Sequence, residues 1–187
     1  FGQNIVTGYP ALFEDRLWLL IKTKSEIQIG IIDSSITYMP IFKLPIGARD
    51  IKLYEDSSIS FFINGNLDFP STLYVQKLNS KAEVVVTLQE GAKFISHFYY
   101  PTEKIFYYTE YQNKSVYLNG VNFKGEIFKI YNSGFFSDKS MLTGFYLNKN
   151  AFGIIESDIC YYIEVSTRNA VQKACELLPA NPNNITY

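Results

Sequence analysis

The side chains that most often carry out chemistry are few in this sequence, and they form no recognised catalytic or metal-binding motif. His97 is the only histidine, and it lies in the alternating apolar run Phe94–Phe98, a context typical of a buried structural histidine. One histidine without a close cysteine pair cannot supply the usual zinc ligands. The Gly-x-Ser-x-Gly, His-Glu-x-x-His and phosphate-binding glycine motifs do not occur. The sequence therefore predicts a protein that is not an enzyme and binds no metal or cofactor.

Carboxylates are the remaining groups that could perform acid–base chemistry. Several lie near predicted turns, but nothing in their spacing brings any two of them together, and carboxylates at strand ends are usually solvated. These residues are Asp50, Glu55, Asp56, Asp68, Glu110, Glu156 and Asp158.

Two cysteines and two glycosylation sequons bear on the cellular compartment. Cys160 and Cys175 are 15 positions apart, and a disulfide between them would stabilise the fold by about 3 kcal/mol in the chain-entropy model. Two buried free thiols are the alternative. Asn113 and Asn184 each begin an Asn-x-Ser/Thr acceptor sequence. Together with the missing initiator methionine, these features predict a secreted glycoprotein.

The charge balance excludes two classes of partner. The 187 residues include 17 Lys and Arg against 18 Asp and Glu, so there is no basic excess that would attract nucleic acid or an anionic lipid surface. No uninterrupted apolar run reaches the roughly 18 residues that span a bilayer. We therefore expect neither nucleic-acid binding nor insertion into a membrane.

The composition indicates an all-β fold. Phe and Tyr number 15 each, and β-branched and aromatic residues recur in short runs bounded by Gly, Asn, Asp, Ser or Pro. Such runs are too short, and their apolar residues too poorly spaced, for amphipathic helices. A β-sandwich is one architecture that fits this pattern.

A repeat of about 45 residues favours a different all-β architecture. Prominent apolar strands begin near positions 17, 59, 105 and 152, and each is followed by a turn and an alternating strand. Repeats of 40–50 residues built from strands are typical of propeller blades. The sequence therefore predicts a single four-bladed β-propeller domain over residues 1–187, with blades near 9–47, 48–91, 92–140 and 141–178.

One C-terminal segment has helical rather than strand spacing. Ser166 and Thr167 offer a cap, and small apolar residues then recur at helical intervals until Pro179. We predict a short helix over Arg168–Leu178. An outermost strand around Cys175–Leu178 is the alternative.

The third unit resembles the YWTD repeat of LDL-receptor-type propellers. Tyr107-Tyr108-Thr109-Glu110 stands where that family has Tyr-Trp-Thr-Asp, and an alternating strand and a Gly-containing turn follow, so that the likeness covers residues 104–125. The family has six blades and this sequence has room for four. The resemblance implies a propeller that binds other proteins outside the cell rather than a catalyst.

Large apolar side chains in Gly-, Ser- and Asn-rich connections are the candidate binding residues, because aromatic rings bury much area at low entropy cost. The alternative is that they fold back as plugs between blades. The candidates are Phe135, Phe136, Tyr38, Met39, Leu67 and Phe69.

These features predict a secreted binding protein whose partner is another protein, such as a receptor or cytokine. A secreted effector that modulates a host response is one form of this function. A lectin-like module, with Trp18 and tyrosines stacking on sugars, is a second hypothesis. A fragment of a six-bladed propeller hydrolase is a third.

Overall fold

The structure is a computed structural model that describes residues 5–13, 16–54, 56–100, 103–132, 142–148, 151–156, 159–164, 167 and 169–173. All regular elements in this part of the chain are β-strands, which confirms the predicted all-β class. The strands are β1 (Ile5–Phe13), β2 (Arg16–Thr23), β3 (Glu26–Ile32), β4 (Tyr38–Pro45), β5 (Ala48–Leu53), β6 (Ile59–Ile63), β7 (Thr72–Gln76), β8 (Glu83–Thr87), β9 (Lys93–Tyr100), β10 (Ile105–Gln112), β11 (Ser115–Asn122), β12 (Ile127–Asn132), β13 (Leu142–Asn148), β14 (Ala151–Glu156), β15 (Ile159–Glu164) and β16 (Asn169–Lys173).

The strands form four four-stranded sheets, and each sheet is a meander of consecutive strands. The strand orders are β1-β2-β3-β4, β5-β6-β7-β8, β9-β10-β11-β12 and β13-β14-β15-β16. Hairpins suffice to make this topology, because each strand pairs with its neighbour in sequence. The repeated turn-strand-turn-strand rhythm of the sequence therefore corresponds to one sheet for each repeat.

Contacts divide the described residues into two compact units. One comprises those within 5–62 and 74–83, and the other comprises those within 63–73 and 84–173. Within the described residues of the second unit, the strands β9 and β10 carry the best-buried aromatic side chains, including Tyr100, Phe106, Tyr107 and Tyr108. The YWTD-like tetrad therefore lies on a buried strand, where aromatic residues pack on both of its faces.

Gly120 on β11 allows one of these aromatic contacts. A Cβ atom at this position would lie 2.3 Å from the ring of Phe128, whose ring also meets that of Tyr107 edge-on with 6.2 Å between centroids. The missing side chain therefore makes room for an aromatic ring on the neighbouring strand.

The helix predicted over Arg168–Leu178 is wrong for its N-terminal half. Residues Asn169–Lys173 form β16, which pairs antiparallel with β15 from Asn169 opposite Glu164 to Lys173 opposite Cys160. Strand pairing satisfies the open backbone edge of β15, whereas a helix of so few residues gains little by itself. Residues 174–178, including the alternative strand around Cys175–Leu178, lie outside the described part of the chain.

The placement of Tyr38 and Met39 in a loop is also wrong. The preceding turn is short because the Asp33 carboxylate accepts hydrogen bonds from the backbone N–H groups of Ser35 and Thr37, each at 2.9 Å. The chain is therefore extended again by Tyr38, which begins β4 opposite Ile32.

Candidate functional site

The connection between β6 and β7 presents two large apolar side chains to solvent. Leu67 is 94% exposed and Phe69 is 69% exposed, values far above those of the strand residues on either side. Both residues were predicted from sequence as binding candidates. A loop that displays such groups can act as a binding surface only if its backbone is held in one conformation, so the contacts that hold this loop decide what it can do.

Asn66 fixes the tip of the loop. Its side-chain Oδ1 accepts hydrogen bonds from the backbone N–H of Asp68 at 2.8 Å and of Phe69 at 3.1 Å, and its own N–H donates to the carbonyl of Phe69 at 2.9 Å. This is an Asx-type turn, in which a short amide side chain replaces a backbone partner. Leu67 lies inside the turn, and its side chain is left pointing away from these bonds into solvent.

Gly65 permits the close return of the chain that follows. A Cβ atom at this position would lie 1.9 Å from the carbonyl oxygen of Phe69 and 2.7 Å from the nitrogen of Ser71. Both are main-chain atoms that cannot rotate away, so a residue with a side chain does not fit here.

Asn64 joins the start of the loop to the first part of β9. Its side-chain Nδ2 donates to the carbonyl of Phe94 at 3.0 Å, and its Oδ1 accepts from the N–H of Phe94 at 2.8 Å. One amide side chain thereby satisfies both backbone groups of a residue 30 positions away, as a neighbouring strand would.

Ser71 joins the end of the loop to the same region. Its hydroxyl accepts from the N–H of Gly65 at 3.0 Å and donates to the carbonyl of Ala92 at 2.6 Å. The carbonyl of Ser71 also accepts from the N–H of Leu88 at 2.9 Å. Ser71 is buried, and its bond to Ala92 is therefore shielded from competition with water.

A groove of about 560 Å³ lies between this loop and the turn that precedes β9. One wall is formed by residues 65–67 and 69–71 and the other by residues 90–93. We call the space between these two walls the groove. Leu67, Phe69 and Pro70 make the first wall mainly apolar, whereas Glu90 and Lys93 bring one charge of each sign to the second. This mixture suits a protein surface or peptide better than a small charged ligand.

A row of polar side chains crosses the third sheet. Register places His97, Tyr108, Asn119 and Lys129 opposite one another on β9, β10, β11 and β12. The first three are buried, in contrast to the apolar character of most residues around them. The predicted structural role of His97 is consistent with this position, because its ring is fully enclosed in the sheet.

Glu110 lies two residues after Tyr108 and is half-buried beside this row. Burial raises the pKa of the Glu110 carboxyl, and a hydrogen bond from Asn119 and the charge of Lys129 only partly oppose this effect. Burial, followed by the nearby Glu110 charge, likewise raises the pKa of Tyr108 well above that of free tyrosine. Oδ1 of Asn119 is buried and has no hydrogen-bond partner among the described residues.

A buried ion pair in the other compact unit was not predicted from the sequence. Asp50 and Lys52 lie two residues apart on β5, with their side chains on one face and 3.2 Å between Oδ1 and Nζ, and both are almost fully buried. The position of Asp50 near a predicted turn predicts a solvated carboxylate, whereas the structure buries it. The available signal was the spacing of an acidic and a basic residue two positions apart on one strand, which places both side chains on one face, where two buried charges must pair.

The other candidate residues occupy varied positions. Tyr38 is half-buried, and its burial and the charge of Glu26 raise its pKa to about 12, while Met39 is exposed on β4. Phe135, Phe136, Asn184 and Cys175 lie outside the described residues, so the predicted disulfide with Cys160, on β15, stays a prediction. Trp18 is buried on β2, so its ring cannot stack on a sugar as the lectin hypothesis requires.

The described residues lack a membrane-spanning helix and a metal-binding cluster. No helix in them has the length and apolar character needed to cross a bilayer. No three of their His, Cys, Asp and Glu side chains are grouped so that they could hold a metal ion.

Removing the Ser71 hydroxyl should loosen the loop. We expect Ser71→Ala to lower the free energy of unfolding by about 1–3 kcal/mol, because it leaves the buried carbonyl of Ala92 and the partly buried N–H of Gly65 without partners. Urea unfolding followed by tyrosine fluorescence measures this loss. Ser34→Ala, in an exposed turn, is the matched control and should change the free energy by less than about 0.5 kcal/mol. Equal effects of the two substitutions would contradict the role given to Ser71.

Glu110 should make stability depend on pH. Because its pKa is raised in the folded state, its stabilising contribution is fully present below the pKa of the unfolded chain and is lost as the pH rises through the folded pKa. We therefore expect the stability of the wild type relative to Glu110→Gln to decrease as the pH is raised from about 4 towards neutrality. Thermal unfolding of both proteins over this range measures the difference. A difference that is constant with pH, or that grows, would show that Glu110 is not buried in this way.

Comparisons with known proteins support the fold but identify no family. No family model matches the chain, and no curated protein has a matching sequence. Among solved structures, a prolyl endopeptidase is similar with a TM-score of 0.60 and 13% identity, over 94% of this chain and 27% of the other. An oligogalacturonate lyase in complex with manganese has a TM-score of 0.58 and 15% identity, and the match covers 89% of this chain and 52% of the other. A structure of a nidogen/laminin complex has a TM-score of 0.58 and 7% identity, and the match covers 86% of this chain and 60% of the other.

The similar structures share a fold and differ in function. They are propeller proteins that include peptidases, lyases and binding proteins, and at such low identity the likeness concerns the fold alone. The chain spans between about a quarter and three-fifths of the length of these three. The described sheets and these similarities together show an all-β chain of propeller-like construction.

Proposed function

We propose that this chain is a secreted, non-enzymatic binding domain that recognises another protein through the groove. The observation that supports this function best is the exposure of Leu67 and Phe69 on a loop whose backbone is held by Asn64, Asn66 and Ser71. An extracellular receptor or cytokine is the class of partner that we expect. This class agrees with the resemblance of residues 104–125 to the YWTD repeat.

The energetics of the loop favour binding. Burying a Leu or Phe side chain that was exposed contributes roughly 1.5–3 kcal/mol, so the two residues together offer a substantial part of a typical binding free energy. A loop that is already ordered loses little conformational entropy when it binds. Isolated apolar residues on a surface are common, but two on one rigid turn beside a groove are typical of interaction sites.

The finer architecture belongs to the same proposal. We take the four sheets to be four blades of a propeller, each made from one repeat of the sequence. The segment that connects β6 to β7 would then be one of the blade-end connections, which are the parts of a propeller that vary most and carry binding sites. The nidogen/laminin structure offers support, since there a propeller protein is found in complex with another protein.

The binding residues can be tested by paired substitutions. We expect Leu67→Ser/Phe69→Ser to weaken binding at least tenfold, because a loss of about 1.4 kcal/mol already gives that factor, and to leave the melting temperature unchanged, because both side chains are exposed. Immobilised wild-type and variant chains would be used to capture proteins from serum and cell-surface extracts. Captured proteins would be identified by mass spectrometry, and their affinities measured with purified material.

Leu78→Ser/Val84→Ser is the matched control, since it also removes two exposed apolar side chains but lies outside the groove. A protein captured by the wild type and by this control, and not by Leu67→Ser/Phe69→Ser, supports the proposal. A captured protein that binds all three chains equally contradicts it. If the wild type and Leu67→Ser/Phe69→Ser bind equally well to glycans on an array, the result would favour a lectin instead.

A further inference from the structure

We propose that Asn113 is an acceptor for an N-linked glycan and that this glycan stands at the margin of the groove. Natural occupancy of the site rests on the secretion proposed above. Its position beside the groove rests on separate contacts within the second compact unit.

The tip of the β10–β11 hairpin presents Asn113 well. The strands pair up to Gln112 opposite Ser115, which leaves Asn113 and Lys114 as a two-residue turn. Both have positive φ, 51° and 64°, as the tight turn that suits a β-hairpin requires. Asn tolerates this conformation, and the side chains of Asn113 and Lys114 are both exposed. The acceptor amide is therefore at the exposed tip of the hairpin.

Ser115 supplies the second residue that an N-glycosylation acceptor requires. Ser115, the first residue of β11, supplies the hydroxyl of the Asn-Lys-Ser sequon and is only half-buried. The co-reactant is a lipid-linked oligosaccharide diphosphate. Nδ2 of Asn113 forms a bond to C1 of the first sugar, the bond from C1 to the phosphate oxygen breaks, the lipid diphosphate leaves, and one amide proton passes to a base of the transferase.

The hairpin tip lies next to one wall of the groove. Nε2 of Gln112 donates to Oε1 of Gln89 at 3.2 Å, and the carbonyl of Gln89 accepts from the N–H of Ala92 at 3.1 Å. Gln89 directly precedes Glu90, the first residue of that wall. A bulky, hydrophilic glycan on the residue after Gln112 would therefore crowd the wall of the groove that carries Lys93. Leu67 and Phe69 belong to the opposite wall.

The acceptor can be tested in a microsome-coupled translation system. The chain would be fused behind a secreted carrier whose own glycan reports import, in an Asn184→Gln background that removes the second sequon. We expect one additional endoglycosidase-sensitive glycan, retained by Ser115→Thr and lost in Asn113→Asp and Ser115→Ala. Ser115→Ala keeps Asn113 and its turn, so loss of the glycan in this variant assigns the modification to the sequon. An imported fusion without the additional glycan, or a glycan that survives Ser115→Ala, would overturn the proposal.

The position of the glycan has its own readout, which needs no binding partner. Acylation of Lys93 by a bulky amine-specific reagent would be compared with that of Lys43, an exposed lysine on β4, by peptide mass spectrometry. We expect the ratio of Lys93 to Lys43 labelling to fall at least twofold in the glycosylated chain relative to Ser115→Ala. An unchanged ratio would overturn the placement beside the groove. Neither result depends on whether Leu67 and Phe69 bind a protein, so the two proposals can fail separately.

Discussion

The arrangement of the groove depends on hydrogen bonds between side chains of one connection and the main chain of another. Where the chain leaves β6 its backbone loses its strand partners, and buried backbone groups without partners are costly. The Ser71 hydroxyl meets part of this need by accepting from the N–H of Gly65. Asn64 and Ser71 also bond to the main chain of Phe94 on β9 and of Ala92 just before it. The loop between them is therefore fixed at both ends, and Gly65 and Asn66 define the path of its tip.

A loop fixed in this way can expose apolar side chains without losing its shape. In a flexible connection Leu67 and Phe69 would fold back onto the protein, since the hydrophobic effect acts on every apolar group that can reach cover. Here the turn geometry holds them in solvent beside a groove with a polar far wall. The similar structures include enzymes and binding proteins on one type of fold, so function has to be argued from such a site rather than from the sheets that carry it.

The sequence predicted features that depend on local pattern and missed those that depend on distant contacts. Alternation and aromatic content were enough for the all-β class, and Gly, Asn and Pro around Leu67 and Phe69 were enough to place both in a loop. The Asn64 contact joins residues 30 positions apart and leaves no local signal. The same limit explains β16, where pairing with β15 outweighed helical spacing. The ion pair of Asp50 and Lys52 is local in sequence, and it was missed because the sequence does not show that both side chains are buried.

Amide hydrogen exchange in the folded chain tests the central claim most directly. If Asn64 and Ser71 hold the loop, the N–H groups of Gly65 and Phe94 should exchange many times more slowly than in an unfolded peptide. Ser71→Ala should then accelerate exchange at Gly65, and Asn64→Ala should accelerate it at Phe94. Exchange at both amides of the wild type as fast as in an unfolded chain would show that the loop is not held, and the binding surface described for it would not exist.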